Sequence, residues 1–128
     1  MNLLEQFARH IEFCGFGTVA DKETNGNIFW GLMPDAPDTA ICVFSTDSGY
    51  GGSESGARIQ VVVRAKTTKE AYEISQAIAD ELAEFDGYLA GDGADAHIRV
   101  LNASAGLGAD GKKRELYSSN YLVHYCNF

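Results

Sequence analysis

The sequence predicts an α+β fold: a single mixed, mostly antiparallel sheet with two helices packed on one face. Two stretches, about Asn2–Cys14 and Thr67–Phe85, repeat apolar residues at three- and four-residue steps, the period of an amphipathic helix. Between and after them lie apolar runs bounded by Gly, Pro and Asn, the pattern of strands. The chain has 128 residues, within the usual size of one domain, and no internal repeat divides it, so residues 1–128 are expected to form a single domain.

In the first helix, Asn2 is the predicted N-cap. Leu3, Leu4, Phe7, Ala8, Ile11 and Cys14 share one face, Glu5, Gln6, Arg9 and Glu12 take the other, and Gly15 ends the helix. Asn25-Gly26 suits a tight hairpin between strands near Phe16–Ala20 and Ile28–Met33. Pro34-Asp35-Ala36-Pro37-Asp38 breaks the chain, because proline can neither donate to a ladder nor sit within a helix. Thr39–Ser45 reads as a strand buried on both faces. Thr46–Gly56 is rich in Gly and Ser and reads as a long flexible loop. Ala57–Ala65 is the clearest strand, with Ile59, Val61 and Val63 alternating against Arg58, Gln60 and Arg64.

Thr67-Thr68-Lys69-Glu70 fits a capping box, with Thr67 as N-cap and Glu70 reaching back. Ala71, Ile74, Ser75, Ile78, Leu82 and Phe85 form the buried stripe of the second helix, Glu73, Gln76, Asp80, Glu81 and Glu84 face water, and Gly87 stops it. Strands follow at about Ala96–Asn102 and Glu115–Cys126, joined by a Gly-rich hairpin around Gly106–Gly111. The sheet face away from the helices is expected to carry Arg58, Gln60 and Arg64 with part of the Tyr117, Tyr121, Tyr125 row, and such an open face is a candidate association surface.

The formal charge of −8 makes direct, sequence-specific nucleic-acid binding a poor fit, since such binding depends on Lys and Arg neutralising phosphates. Met1–Gly56 holds eight acidic and two basic residues (net −6), and Ala57–Phe128 ten acidic and eight basic (net −2). Three cysteines with no C-x-x-C pair read as reduced thiols. Charged residues run through the N-terminal stretch, so no signal peptide is expected, and no apolar run approaches the ~18 residues of a membrane span. A soluble protein of the cytoplasm, without membrane contact, is the expectation.

Tests for chemistry return little. No Gly-x-x-x-x-Gly-Lys-Ser/Thr loop is present. Gly106-Leu107-Gly108-Ala109-Asp110-Gly111 matches G-x-G-x-x-G but precedes a strand rather than a helix, so it reads as a turn. Gly52-Ser53-Glu54-Ser55-Gly56 centres on Glu54, which is no nucleophile. His10, His97, His124, Cys14, Cys42 and Cys126 lack metal-ligand spacing; Cys14 and Cys42 read as core, and His124 with Cys126 share only one side of a strand. Asp35 and Asp38 are expected to cap their own turn. The expectation is therefore no catalytic residue, no cofactor and no metal. An alternative reading is a small ligand-binding protein or enzyme whose pocket on the open sheet is lined by Tyr72, Tyr88, Tyr117, Tyr121 and Tyr125.

One further pattern runs nearly the whole length. Gly31-Leu32-Met33-Pro34-Asp35-Ala36-Pro37-Asp38 leads into the apolar strand; Arg58-Ile59-Gln60-Val61-Val62-Val63-Arg64 and Glu70-Ala71-Tyr72-Glu73-Ile74 with Ala77-Ile78 follow, and Met1–Gln6 opens the first helix. Together they resemble the minor capsid family of bacteriophages and prophages, with an element order similar to tail terminator and head–tail joining proteins. The resemblance implies a virion subunit that self-associates head to tail in a ring, hexameric in this family, and contacts tail-tube or connector proteins. It implies a location in the virion or the bacterial host cytoplasm. By composition and resemblance together, the loop residues Asp47, Ser48, Tyr50, Glu54, Leu107, Asp110 and Lys112 and the sheet residues Arg58, Gln60, Arg64, Tyr117 and Tyr121 are the candidate interface.

Overall fold

The computed structural model describes residues 2–21, 25–46 and 56–126. The order is α1 (Leu3–Phe13), β1 (Ile28–Trp30), β2 (Ala40–Ser45), β3 (Ala57–Ala65), α2 (Thr68–Leu82), β4 (Asp86–Tyr88), β5 (Asp95–Ala109) and β6 (Glu115–Cys126), with a 3₁₀ turn at Leu89–Gly91. The six strands form one sheet in the order β1-β2-β3-β6-β5-β4. β1 and β2 are parallel, and every other neighbouring pair is antiparallel. The α+β class and the mixed, mostly antiparallel sheet are as the sequence predicts.

The alternation in β3 decides the layering. Ile59, Val61 and Val63 point to the helix side, where Phe7, Ala8 and Ile11 of α1 and Ile78 and Leu82 of α2 close a single main core over them. Ile41 and Val43 of β2 join that core, while Ala40 and Cys42 pack with Phe29 on the opposite face. β2 is thus buried on both sides, which its unbroken apolar run requires. The helix starts follow from capping: Asn2 Oδ1 accepts the Glu5 N–H (2.8 Å) and Thr67 Oγ1 the Glu70 N–H (3.1 Å). The Glu70 carboxylate does not close the box but accepts from Thr39 Oγ1 (3.4 Å).

Several expectations need correction. Among the described residues no antiparallel hairpin forms around Asn25-Gly26; Val19 makes one parallel bridge to Ile28, and β1 has three residues and pairs with β2 in parallel. Thr18 O accepts both the Asn27 and Ile28 N–H groups, and Asn27 Oδ1 accepts the Thr18 N–H (2.9 Å), so local bonds replace a ladder. Gly26 is needed there for close approach, since a Cβ would lie 2.5 Å from Thr18 O. α2 ends at Leu82, before Gly87, where Glu84 takes a positive φ of 56°, and Asp86–Tyr88 is a strand that the sequence does not mark.

Gly106 and Gly108 lie within β5 rather than in its turn. The reversal falls at Asp110–Arg114, where Asp110 Oδ1 accepts the N–H groups of Lys112 and Arg114 (both 2.9 Å), while the glycines serve register shifts in a bulged ladder. Gln6, expected toward solvent, is buried because its Oε1 accepts the Ala94 N–H (2.7 Å).

Candidate interaction surface

Backbone register arranges the sheet face away from the helices into rows. Gln60 pairs with Asn120 and Asn120 with Asn102, which sets three amides across β3, β6 and β5. The next row holds Arg58, Leu122 and Arg99, and the one beyond it His124, His97 and Asp86. Arg58, Arg99, Asn102 and His124 are exposed, and Gln60, Asn120 and Leu122 are half-buried. Asn120 Nδ2 donates to Asn102 Oδ1 (3.0 Å), and His97 lies 3.6 Å from the Glu84 carboxylate.

Three of the five expected sheet residues belong to this face by register, but Arg64 is only 4% exposed. Tyr117 and Tyr121 do not belong to it. Tyr117 pairs with Val63 and Tyr121 with Ile59, so both point toward the helices. Tyr117 meets Tyr72 of α2 edge-on at a centroid distance of 5.7 Å, and Tyr121 is fully buried 5.7 Å from Phe7. Tyr125 also packs against the main core, and Tyr88 is exposed on β4. The five tyrosines therefore do not line one pocket. Their spacing of four placed Tyr117, Tyr121 and Tyr125 on one side of a strand; only pairing with β3 decides which side.

Arg64 is covered by the Pro34–Asp38 turn, which contains a cis Ala36–Pro37 bond. Its Nε donates to Asp38 O (3.2 Å) and its Nη2 to Pro37 O. Arg114, 5% exposed, holds the same turn from the β5–β6 end. Arg114 Nη2 donates to Asp35 Oδ1 (2.9 Å), Nη1 to Asp35 O and Asp38 Oδ1, and Nε to Asp110 Oδ2 (2.8 Å). Lys112 pairs with Asp35, and Lys66 lies 3.6 Å from Asp38. Hydrogen bonds from Lys112 and then Arg114 hold the Asp35 carboxyl below its ordinary value. The Arg114 backbone N–H does the same, as the largest cause, for Asp110. Burial works against the Arg114 charge, but its bonds to Asp110 and Asp35 outweigh that and raise its pKa. Asp35 and Asp38 are thus anchors for two buried arginines, not caps of their own turn. Asp110 and Lys112 belong to this clamp, Leu107 is exposed on β5, and Asp47, Ser48, Tyr50 and Glu54 lie outside the described residues.

Other polar groups serve packing. Burial lowers the His10 pKa against an opposing pull from Glu81, and its Nδ1 accepts the Ala90 N–H (2.8 Å). Ser75, Ser104 and Ser119 share hydroxyl contacts of 3.2 and 3.3 Å between α2 and the β5–β6 hairpin. Cys14, Cys42 and Cys126 are free thiols; Cys42 is buried, and burial pushes it up to about 12. Among the described residues, no three His, Cys, Asp or Glu side chains gather to hold a metal ion, and no helix is long and apolar enough to cross a membrane.

A family model described as bacteriophage tail terminator protein matches residues 14–127. The chain belongs to the bacteriophage tail terminator family. The match takes in the clamped turn, every strand and α2, and begins just past the end of α1. Tail terminators are structural proteins, so membership gives the chain a structural, tail-completing role in a phage virion. No curated protein matches the chain.

Proposed function

We propose that this tail terminator subunit closes into a ring, hexameric as in the proteins it resembles, and caps the tail where it meets the connector of the head. The observation that carries the reading is the family match over residues 14–127. A ring of identical subunits needs two different patches on each subunit, used head to tail. The sheet offers one: its outer face is polar and open around Arg58 and Gln60 among the described residues. The β5–β6 end, with Leu107 exposed and Asp110 and Lys112 fixed by the arginine clamp, offers a rigid contact for a tail-tube or connector protein. The net charge of −8 fits a part that DNA passes without sticking.

Native mass spectrometry of the purified chain, alone and with the tail-tube protein of its own phage, tests this. A closed oligomer of one mass, alone or on the tube, is the expected result. A chain that stays monomeric in both and does not bind the tube overturns the proposal.

A further inference from the structure

One row of the open sheet face and the outward surface of α2 carry opposite charge at matched spacing. On the open sheet face, Arg58 and Arg99 flank Leu122 in one row across β3, β6 and β5. Two strand spacings set them about 9–10 Å apart. On the other side of the molecule, the outward surface of α2 carries Glu73, Asp80 and Glu81 against one base, Lys69, which lies 3.8 Å from Glu73. Glu73 and Asp80 are seven residues apart, so they lie on one side of the helix about 10.5 Å apart along its axis. Ala77 lies between them and is exposed. A small residue there lets another backbone approach closely, and Leu122, half-buried between two arginines, is the apolar group it would meet.

We propose that the α2 face of one subunit docks on the Arg58–Leu122–Arg99 row of the next, with Glu73 and Asp80 against the two arginines and Ala77 over Leu122. The occupant is a second copy of this chain, because the acidic pair, its spacing and the small residue between are all supplied by the chain itself. The contact is heterologous: a helix-side patch meets a sheet-side patch, so each subunit keeps one free patch of each kind until the circle closes. The inference rests on the ring reading above and assigns that ring its interface.

Charge reversal in complementary pairs tests it, read by native mass spectrometry and light scattering under the conditions in which the wild-type chain assembles. All four charged residues are exposed, so circular dichroism should show each variant folded. The variant R58E/R99E and the variant E73R/D80R should each weaken self-association roughly 100-fold or more. Mixing the two should restore assembly, since each then offers its unaltered patch to the other's unaltered patch and its reversed patch to the other's reversed one. The quadruple variant should assemble alone. If wild-type rings form and the double variants assemble equally well, the interface is wrong while the ring stands. If both double variants fail but neither the mixture nor the quadruple variant recovers, the pairing is likewise overturned. A wild-type chain that never assembles, with or without tail tube, overturns ring and interface together.

Discussion

Tyr121 buries its hydroxyl in the main core with no partner at good hydrogen-bond geometry, and burial pushes the phenol up to about 12, a weak contact with the Ser119 side chain offsetting only part of the rise. Its ring earns its place by packing on Phe7, which phenylalanine would do equally well. Tyr121→Phe should therefore raise stability by about 1 kcal/mol, because it removes an unsatisfied buried oxygen and keeps the shape; urea unfolding measures it. His10 makes the opposite case. Its neutral Nδ1 accepts from Ala90, and its ring lies 4.4 Å from that of Phe85. The folded pKa lies below the ordinary 6.5, so the unfolded chain binds the proton first. Stability should be undiminished above pH 6.5 and should fall as pH drops from there toward the folded value. His10→Gln, which has no titrating group, should lose that segment of the pH profile in thermal melts.

At the scale of elements, α2 stands on a cap and a buried stripe. Thr67→Ala should cost about 1 kcal/mol, since the Glu70 N–H would lose its acceptor. The Pro34–Asp38 turn has little apolar burial of its own and depends on Arg64 and Arg114. Arg114→Met should leave β3 protected in hydrogen exchange but speed exchange at Asp35, Ala36, Lys112 and Lys113, the segments that the guanidinium ties together. Asp35 and Asp110 have folded pKa values below 3.8, so their contribution is full above that pH and disappears as pH falls through the folded values. Acid unfolding of the wild-type chain should therefore show a step below pH 3.8 that Arg114→Met flattens.

For the molecule as a whole, charge is distributed by layer: acidic residues dominate the exposed side of α2, and Arg58 and Arg99 mark the open sheet. Contacts between exposed charges are screened beyond a distance of about 8 Å at physiological ionic strength. Self-association should accordingly weaken as salt rises, with light scattering showing smaller mean mass at 1 M than at 0.1 M added salt. A salt-independent mass would point to an interface made by apolar contact, such as one at the exposed Leu107 or Leu32.

The amino-acid order by itself determined what depends on near neighbours: both helices with their N-caps, the doubly buried strand β2, the alternation of β3, and the start and end of β6. It also contained the tail terminator resemblance and the lack of a recognisable catalytic motif. Only the tertiary structure decided what depends on contacts distant along the chain. Tyr117 and Tyr121 point to the core because β6 pairs with β3 in that register, and a shift of one residue would reverse them. Gln6 and His10 turn inward because the segment around Ala90–Ala94 brings backbone N–H groups to them. Asp35 and Arg114 are 79 positions apart, so their pairing exists only once the sheet is assembled. Local periodicity reports which side chains share a face, whereas which face meets which is fixed by long-range pairing.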